Sequence, residues 1–290
     1  MLLQDLVGSS VLTVFVLVGA MSVIAAIEAE WPLRAREPWH TAHLGPNLGL
    51  TLLTFATNLF LNAGLVAALL WCEARGIGLL NALPLESVTS AAVAVIVLDL
   101  SFYVAHVAMH RLPTLWRFHR VHHSDPAVDV TTTIRQHPGE GVVRYAFMAA
   151  FAVAVGAGPG PFAVYRLWSA LNGLLEHANV RVPCRLDTLV SLVLVTPNMH
   201  KVHHSRLVHE TDSNYGNIFS VFDRICATFT PSRRGTAIRY GLDGFDDPDV
   251  QTIRGLLAMP FRRGRALSWA TGSPRRRSTT PSPPPAPWTS

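Results

Sequence analysis

The chain has 290 residues, of which 49% are hydrophobic and only 15% charged, against about 25% charge in an ordinary soluble domain. That balance argues against a soluble globular protein and makes a membrane protein the first reading. The net charge of +5 is almost wholly arginine, Lys201 being the only lysine. Because the arginines flank hydrophobic stretches without an aromatic-basic surface motif, nucleic acid is excluded as the expected partner.

In chain order, residues 6–27, about 48–71 and 87–109 are each long enough to cross a membrane, which takes about 20 helical residues. The first has Asp5 and no Lys or Arg before it and runs into Ala29-Glu30-Trp31, so it reads as a retained helix rather than a leader. Two shorter apolar stretches, about 142–157 and 162–177, flank Gly156-Ala157-Gly158-Pro159-Gly160-Pro161, a sequence that cannot continue a helix. They read as a hairpin that dips into the bilayer and returns, or as a short spanning pair. Arg34 and Arg36 follow the first span, Arg111, Arg117 and Arg120 follow the third, and a dense group runs from Arg262 to Arg277. The positive-inside tendency puts all of these on the cytoplasmic face, with the N-terminus and the Trp71–Glu86 connection outside.

The third span carries Asp99, Tyr103, His106 and His110 at i, i+4, i+7 and i+11, one helical stripe. A carboxylate at that depth needs partners, so Asp99 either orients a histidine, closes a polar network, or bonds a neighbouring helix. Pro113 is expected to end this helix, and Thr114 to cap a new one through His119, His122 and His123. A copy of that trio follows 81 residues later: His119-Arg120-Val121-His122-His123-Ser124 recurs as His200-Lys201-Val202-His203-His204-Ser205. Thr196 and Pro197 are an N-cap and first helical residue for the second copy.

Imidazoles at i, i+3 and i+4 gather on one side of a helix, and a face of imidazoles is a candidate metal site. Eight of the thirteen histidines fall into these three clusters. One metal uses at most about six, so eight or more imply two metals; imidazole alone does not choose among zinc, copper, nickel and iron. His177, in Leu175-Glu176-His177-Ala178-Asn179, closes the returning arm of the hairpin and is a ninth candidate. His137, in Arg135-Gln136-His137-Pro138-Gly139-Glu140, is a ligand, a residue supporting the ligands, or a residue on the substrate side. His40, His43 and His209 match no spacing and are expected at surface or interfacial positions. Cys72, Cys184 and Cys226, with no CxxC pair, read as small apolar core residues.

From about Asp99 to Phe229 the chain resembles the fatty acid hydroxylase superfamily, also called the sterol desaturase family, of integral-membrane non-haem di-iron enzymes. The pattern HxxxH, HxxHH, HxxHH is met by His106/His110, His119/His122/His123 and His200/His203/His204. Arg135-x-His137-Pro138, Glu176-His177-Ala178-Asn179, Asp212-Ser213-Asn214-Tyr215-Gly216-Asn217 and Asp223-Arg224 add to it. Two departures are Val107, where Arg commonly follows the first histidine, and Phe222-Asp223-Arg224-Ile225-Cys226-Ala227-Thr228, where members often carry Trp-Asp-Arg-x-Phe-Gly-Thr.

The resemblance implies two irons on the eight motif histidines, joined by His177. It implies O₂-dependent hydroxylation or desaturation of a sterol, fatty acid, carotenoid or ether lipid, with electrons from an NAD(P)H-linked donor. With no fused redox region in view, that donor is expected to be a separate ferredoxin or small cytochrome with its reductase. Asp99, Tyr103, Glu176, Asp212 and Asp223 are the candidate supporting residues. Competing readings are a redox-inert membrane metal protein, such as a zinc-dependent hydrolase or metal carrier, and a scaffold that has lost activity. The expected architecture is an all-α membrane bundle of three full spans and a short hairpin, with a cytoplasmic helical cap carrying a dinuclear site. Residues 1–90 are assigned to N-terminal membrane helices, 91–245 to the catalytic domain and 246–290 to a polar, largely disordered tail.

Overall fold

The structure is a computed structural model, and it describes residues 3–35, 42–232 and 237–262, with side chains from residue 12 onward. The described residues are helical, with no strand and two isolated bridges, Pro32 to Val180 and Leu194 to Phe219. The long helices are α1 (Leu3–Glu30), α2 (Leu44–Glu73), α3 (Ser87–Arg111), α5 (Pro138–Val155) and α6 (Pro159–His177), with a shorter α4 (Pro113–His123) between α3 and α5. Four segments have the length and composition to cross a membrane: Leu12–Glu30, Leu44–Glu73, Ser87–Arg111 and Pro138–Val155. The fourth is the first arm of the expected hairpin. It runs to 18 residues because His137 caps it and Pro138 starts it, four residues before the hydrophobic pattern becomes visible.

Gly156 ends α5 in the left-handed region at φ 77°, the usual glycine stop. Gly78 packs against this turn so closely that a Cβ on it would lie 2.2 Å from Gly156 Cα. Between the helices Leu65, Leu69, Val95, Leu98, Met148, Ala152 and Phe162 form the apolar core. The opposite end of the bundle is polar. There the C-termini of α1, α3 and α6 meet the N-termini of α2 and α5: Glu28 accepts the amides of Val130 and Asn179, and Thr54 donates to the Gln136 carbonyl.

Five short helices cap that end: α7 (Cys184–Val190), α8 (Pro197–His203), α9 (Val208–Thr211), α10 (Val221–Ile225) and α11 (Ile253–Ala258). Three expectations are corrected here. Pro113 ends α3 as expected, forcing Leu112 into extended backbone after Arg111, but it also starts α4 itself, and Thr114, inside the first turn, makes no cap hydrogen bond. Cys72 is buried, whereas Cys184 and Cys226 are exposed, because Cys184 opens α7 and Cys226 directly follows α10, in the cap and not in the bundle. The polar tail does not begin at 246. Val250, Leu256 and Met259 bury against Leu50 and Val121, and Arg135 bonds Gln251, so apolar side chains spaced too sparsely to register as a pattern hold residues 246–262 onto α2 and α4. Residues from 263 on, including most of the arginine-rich group, lie outside the described residues.

Candidate metal centre

Each motif histidine is placed by a helix start or helix end. His106 and His110 stand one turn apart at the C-terminal end of α3, and the Leu112 break turns the chain so that α4 brings its trio over them. Thr196 caps α8, accepting the Met199 amide, with Pro197 as its first residue. His177 is the last residue of α6.

These nine histidines are all buried and form two groups. His106, His110, His119, His123 and His203 make one; His122, His177, His200 and His204 make the other, and in each the ligand nitrogens lie within 4.8 Å of one another. The trios are therefore divided. In α4 the i and i+4 histidines enter the first group and the i+3 histidine the second; in α8 the assignment is reversed. On a helix of 3.6 residues per turn, i and i+4 share a line and i+3 lies to one side of it. Each trio thus faces both groups at once, and the two helices approach from opposite sides.

The ring orientations favour metal binding through Nε2. Nδ1 of His106 meets the Tyr215 carbonyl at 2.8 Å, that of His203 the Ser213 carbonyl at 2.7 Å, and that of His177 the Gly173 carbonyl at 2.7 Å. A carbonyl can only accept, so Nδ1 carries the proton in each and Nε2 presents a lone pair. Nε2 of His106 is 3.0 Å from that of His119, and Nε2 of His177 is 3.1 Å from His122, 3.1 Å from His204 and 3.0 Å from His200. Ligand nitrogens about 2.1 Å from a metal stand about 3 Å apart along a coordination edge. Nε2 of His110 and His203 is buried without a hydrogen-bond partner. Convergent lone pairs, edge-length spacings and orphaned nitrogens fit two metal ions. Burial, reinforced by neighbouring imidazoles, holds His122, His123 and His204 well below the usual histidine range, so they are neutral and competent as donors.

The supporting candidates separate by position. Asp212 Oδ1 lies 3.3 Å from His110 Nδ1, and burial pushes its carboxyl up to about 6 against the pull of Arg111. Glu176 Oε1 lies 3.7 Å from His200 Nε2 and 3.8 Å from His177 Nδ1. Asp99 touches no histidine; it accepts the amides of Ile218 and Phe219 at 3.2 and 2.9 Å. Tyr103 meets the Thr228 hydroxyl, and Asp223 accepts the amides of Tyr215 and Gly216, fixing the loop that offers its carbonyl to His106. His137 lies outside both groups; its Nδ1 accepts the Gly139 amide and its ring packs on Phe118.

Two residues had no signal in the sequence reading. Glu140 Oε1 stands 3.1 Å from His119 Nδ1, close but poorly aligned; in sequence it resembles any acid in the first turn of a helix. His43, expected at a surface, is buried, with Asp125 at 3.0 Å and Asp129 at 3.3 Å. Asn47 bonds Asp125, and Arg135 bonds Asn47 and the Ser124 hydroxyl directly after the first trio. The acidic partners of His43 are 82 and more positions away in sequence, with only Asn47 nearby, so no local spacing announced the cluster. His209 is exposed as expected, and His40 lies outside the described residues.

Residues 91–228 match the family model described as Fatty acid hydroxylase. This segment belongs to the fatty acid hydroxylase family. It holds every histidine of both groups. The chain is 31% identical over 148 residues to alkylglycerol monooxygenase of Caenorhabditis elegans, covering 50% of this chain and 28% of that protein. It is 32% identical over 175 residues to ornithine lipid hydroxylase OlsE of Rhizobium tropici, covering 59% and 50%, and 27% identical over 146 residues to human alkylglycerol monooxygenase, covering 50% and 31%. The aligned stretch thus spans half or less of the length of these relatives. No solved structure matches.

Proposed function

We propose that the chain is an integral-membrane di-iron oxygenase that hydroxylates or desaturates a lipid. The observation that carries this reading is the pair of buried histidine groups with convergent Nε2 atoms. His106, His110, His119, His123 and His203 hold one iron, and His122, His177, His200 and His204 the other. When bound, the irons supply O₂ activation and oxidation of an unactivated C–H bond; in the hydroxylation, one oxygen atom enters the lipid and the other leaves as water, with two electrons and two protons taken up. Iron is favoured over zinc because relatives named hydroxylase and monooxygenase carry out chemistry that needs a redox-active metal.

The chain's own part is to orient and to exclude water. The Tyr215, Ser213 and Gly173 carbonyls, Asp212 and Glu140 fix ring orientation, and outer partners of this kind tune a metal strongly. The apolar bundle beneath the histidines admits a lipid chain and keeps bulk water from the reacting carbon. Arginine placement supports a cytoplasmic histidine-bearing end and an outside N-terminus, so that a separate ferredoxin or small cytochrome, reduced from NAD(P)H, approaches that end. Ether lipids and ornithine lipids, named for the relatives, are the first substrates to try.

Metal analysis of purified protein combined with lipid profiling with and without expression tests this. Two irons per chain and an oxygenated or newly unsaturated lipid are expected. Stoichiometric zinc after iron-preserving purification, with no lipid change, would overturn it.

A further inference from the structure

Short helices capping the polar end of a bundle are expected to turn a polar face outward. α7 and α10 do the opposite. Leu186 and Leu189 on α7, Leu192 and Val193 just after it, and Ile225 at the end of α10 are each more than half exposed. The acids of these segments, Asp187 and Asp223, are turned inward and buried. Asp187 accepts the hydroxyls of Thr196 and Ser232, and Asp223 the amides of Tyr215 and Gly216. Beside the apolar face the exposed charges are cations, Arg181 and Arg185. The two segments form one unit: the Ser191 carbonyl accepts the Ser220 hydroxyl and the Arg224 guanidinium, and the Val195 amide donates to the Ile218 carbonyl. This unit runs down the side of the bundle. Leu194 and Phe219 pack against its apolar core, Phe219 lies 5.6 Å from the Trp168 ring on α6, and Phe222 lies 5.8 Å from the Tyr103 ring on α3. Asp99, which holds the Ile218 and Phe219 amides, is about 16 Å along α3 from His110, well inside a helix with the length and composition of a membrane span.

We infer that α7 and α10 make a second, non-spanning membrane contact, their apolar outer face embedded in the leaflet on the histidine side and Arg181 and Arg185 reaching its headgroups. A group of exposed apolar side chains marks an interaction surface. One whose acids point inward and whose neighbouring charges are cations suits the boundary between headgroups and acyl chains. The bilayer is the occupant because the face continues the lipid-facing side of the bundle: Trp168, itself exposed on α6, touches Phe219, and the unit is rooted on α3 at membrane depth. The contact bears on the histidines. Asp187 bonds Thr196, the N-cap of α8, so the embedded unit sets the height of His200, His203 and His204 above the acyl chains. The inference needs no metal and stands apart from the oxygenase reading.

The test places nitroxide labels on the full chain in vesicles of phosphatidylcholine and phosphatidylglycerol. It compares collisions with oxygen, which concentrates in acyl chains, against collisions with a water-soluble nickel chelate. In a chain with Cys72, Cys184 and Cys226 replaced by alanine, Leu189→Cys and Ile225→Cys are read beside two references. Leu52→Cys, exposed on the spanning helix α2, reports lipid, and Pro248→Cys, exposed between Asp247 and Asp249, reports water. Both patch labels are expected to favour oxygen as Leu52→Cys does, at a depth of about 5–10 Å below the headgroups. The native Cys226, labelled after Cys184→Ala alone, needs no substitution in the patch, since the remaining Cys72 is buried, and should give the same result. Chelate collisions matching Pro248→Cys mean that water covers the face and overturn the inference. Low collisions with both reagents mean that protein covers it and overturn the inference too, with spin–spin broadening identifying that protein as a second copy. No activity or metal is read, so either failure leaves the oxygenase reading standing.

Discussion

Glu140 Oε1 stands 3.1 Å from His119 Nδ1, so the first turn of α5 props a ring whose Nε2 points into the first histidine group. Glu140→Ala is expected to reduce metal affinity by about 10- to 100-fold, the range for partners of metal-bound histidines. Glu140→Gln, which keeps an acceptor oxygen, should lose less. Metal retained after graded chelator treatment is the measurement, and unchanged retention in both variants would refute the role.

His177 and His137 offer a contrast between a candidate ligand and a cap. His177→Ala should lower metal content by about half, since Nε2 contacts all three other members of the second group. His137→Ala should leave the metal in place and cost about 1 kcal/mol of stability through the lost N-cap of α5. Metal analysis beside thermal unfolding separates the two.

The His43 cluster sets an alkaline limit on stability. Burial disfavours the charged ring, but Asp125 and Asp129 outweigh it and raise His43 from 6.5 to about 9. A raised histidine stabilises the fold fully below 6.5, and the contribution, on the order of 3 kcal/mol, is lost as pH rises through about 9. His43→Gln should therefore be less stable than the parent at pH 6 and nearly equal to it above pH 10, measured by unfolding in detergent. A parallel pH profile would refute this.

Ala227 has φ 56°, left-handed backbone that costs a residue with a Cβ about 1 kcal/mol or more. It occupies the place where the resembling family often has glycine. Ala227→Gly is expected to raise stability by about 1 kcal/mol without altering metal content, readable as a higher unfolding temperature.

What the residues disclosed in advance were features with short sequence range. The HxxxH and HxxHH spacings, the Thr196-Pro197 start and the glycine-proline break at Gly156 are written in adjacent turns, so local physics places them. Features spanning the chain were not legible. His43 bonds across 82 positions, Glu140 reaches back to His119 from another helix, and residues 246–262 bury through a few scattered apolar side chains.

The sequence by itself determined that two helices each carry three imidazoles at i, i+3 and i+4, because that is a property of the α-helical period. Only the tertiary structure decided that each trio is split between two groups, His119 and His123 from His122, and His200 and His204 from His203. The period fixes the angle between side chains on one helix. Which group each imidazole faces depends on how α4 and α8 approach one another, and that is set by bundle packing, by the Leu112 break, and by the buried bonds of Asp99 and Asp223 that hold the intervening loops.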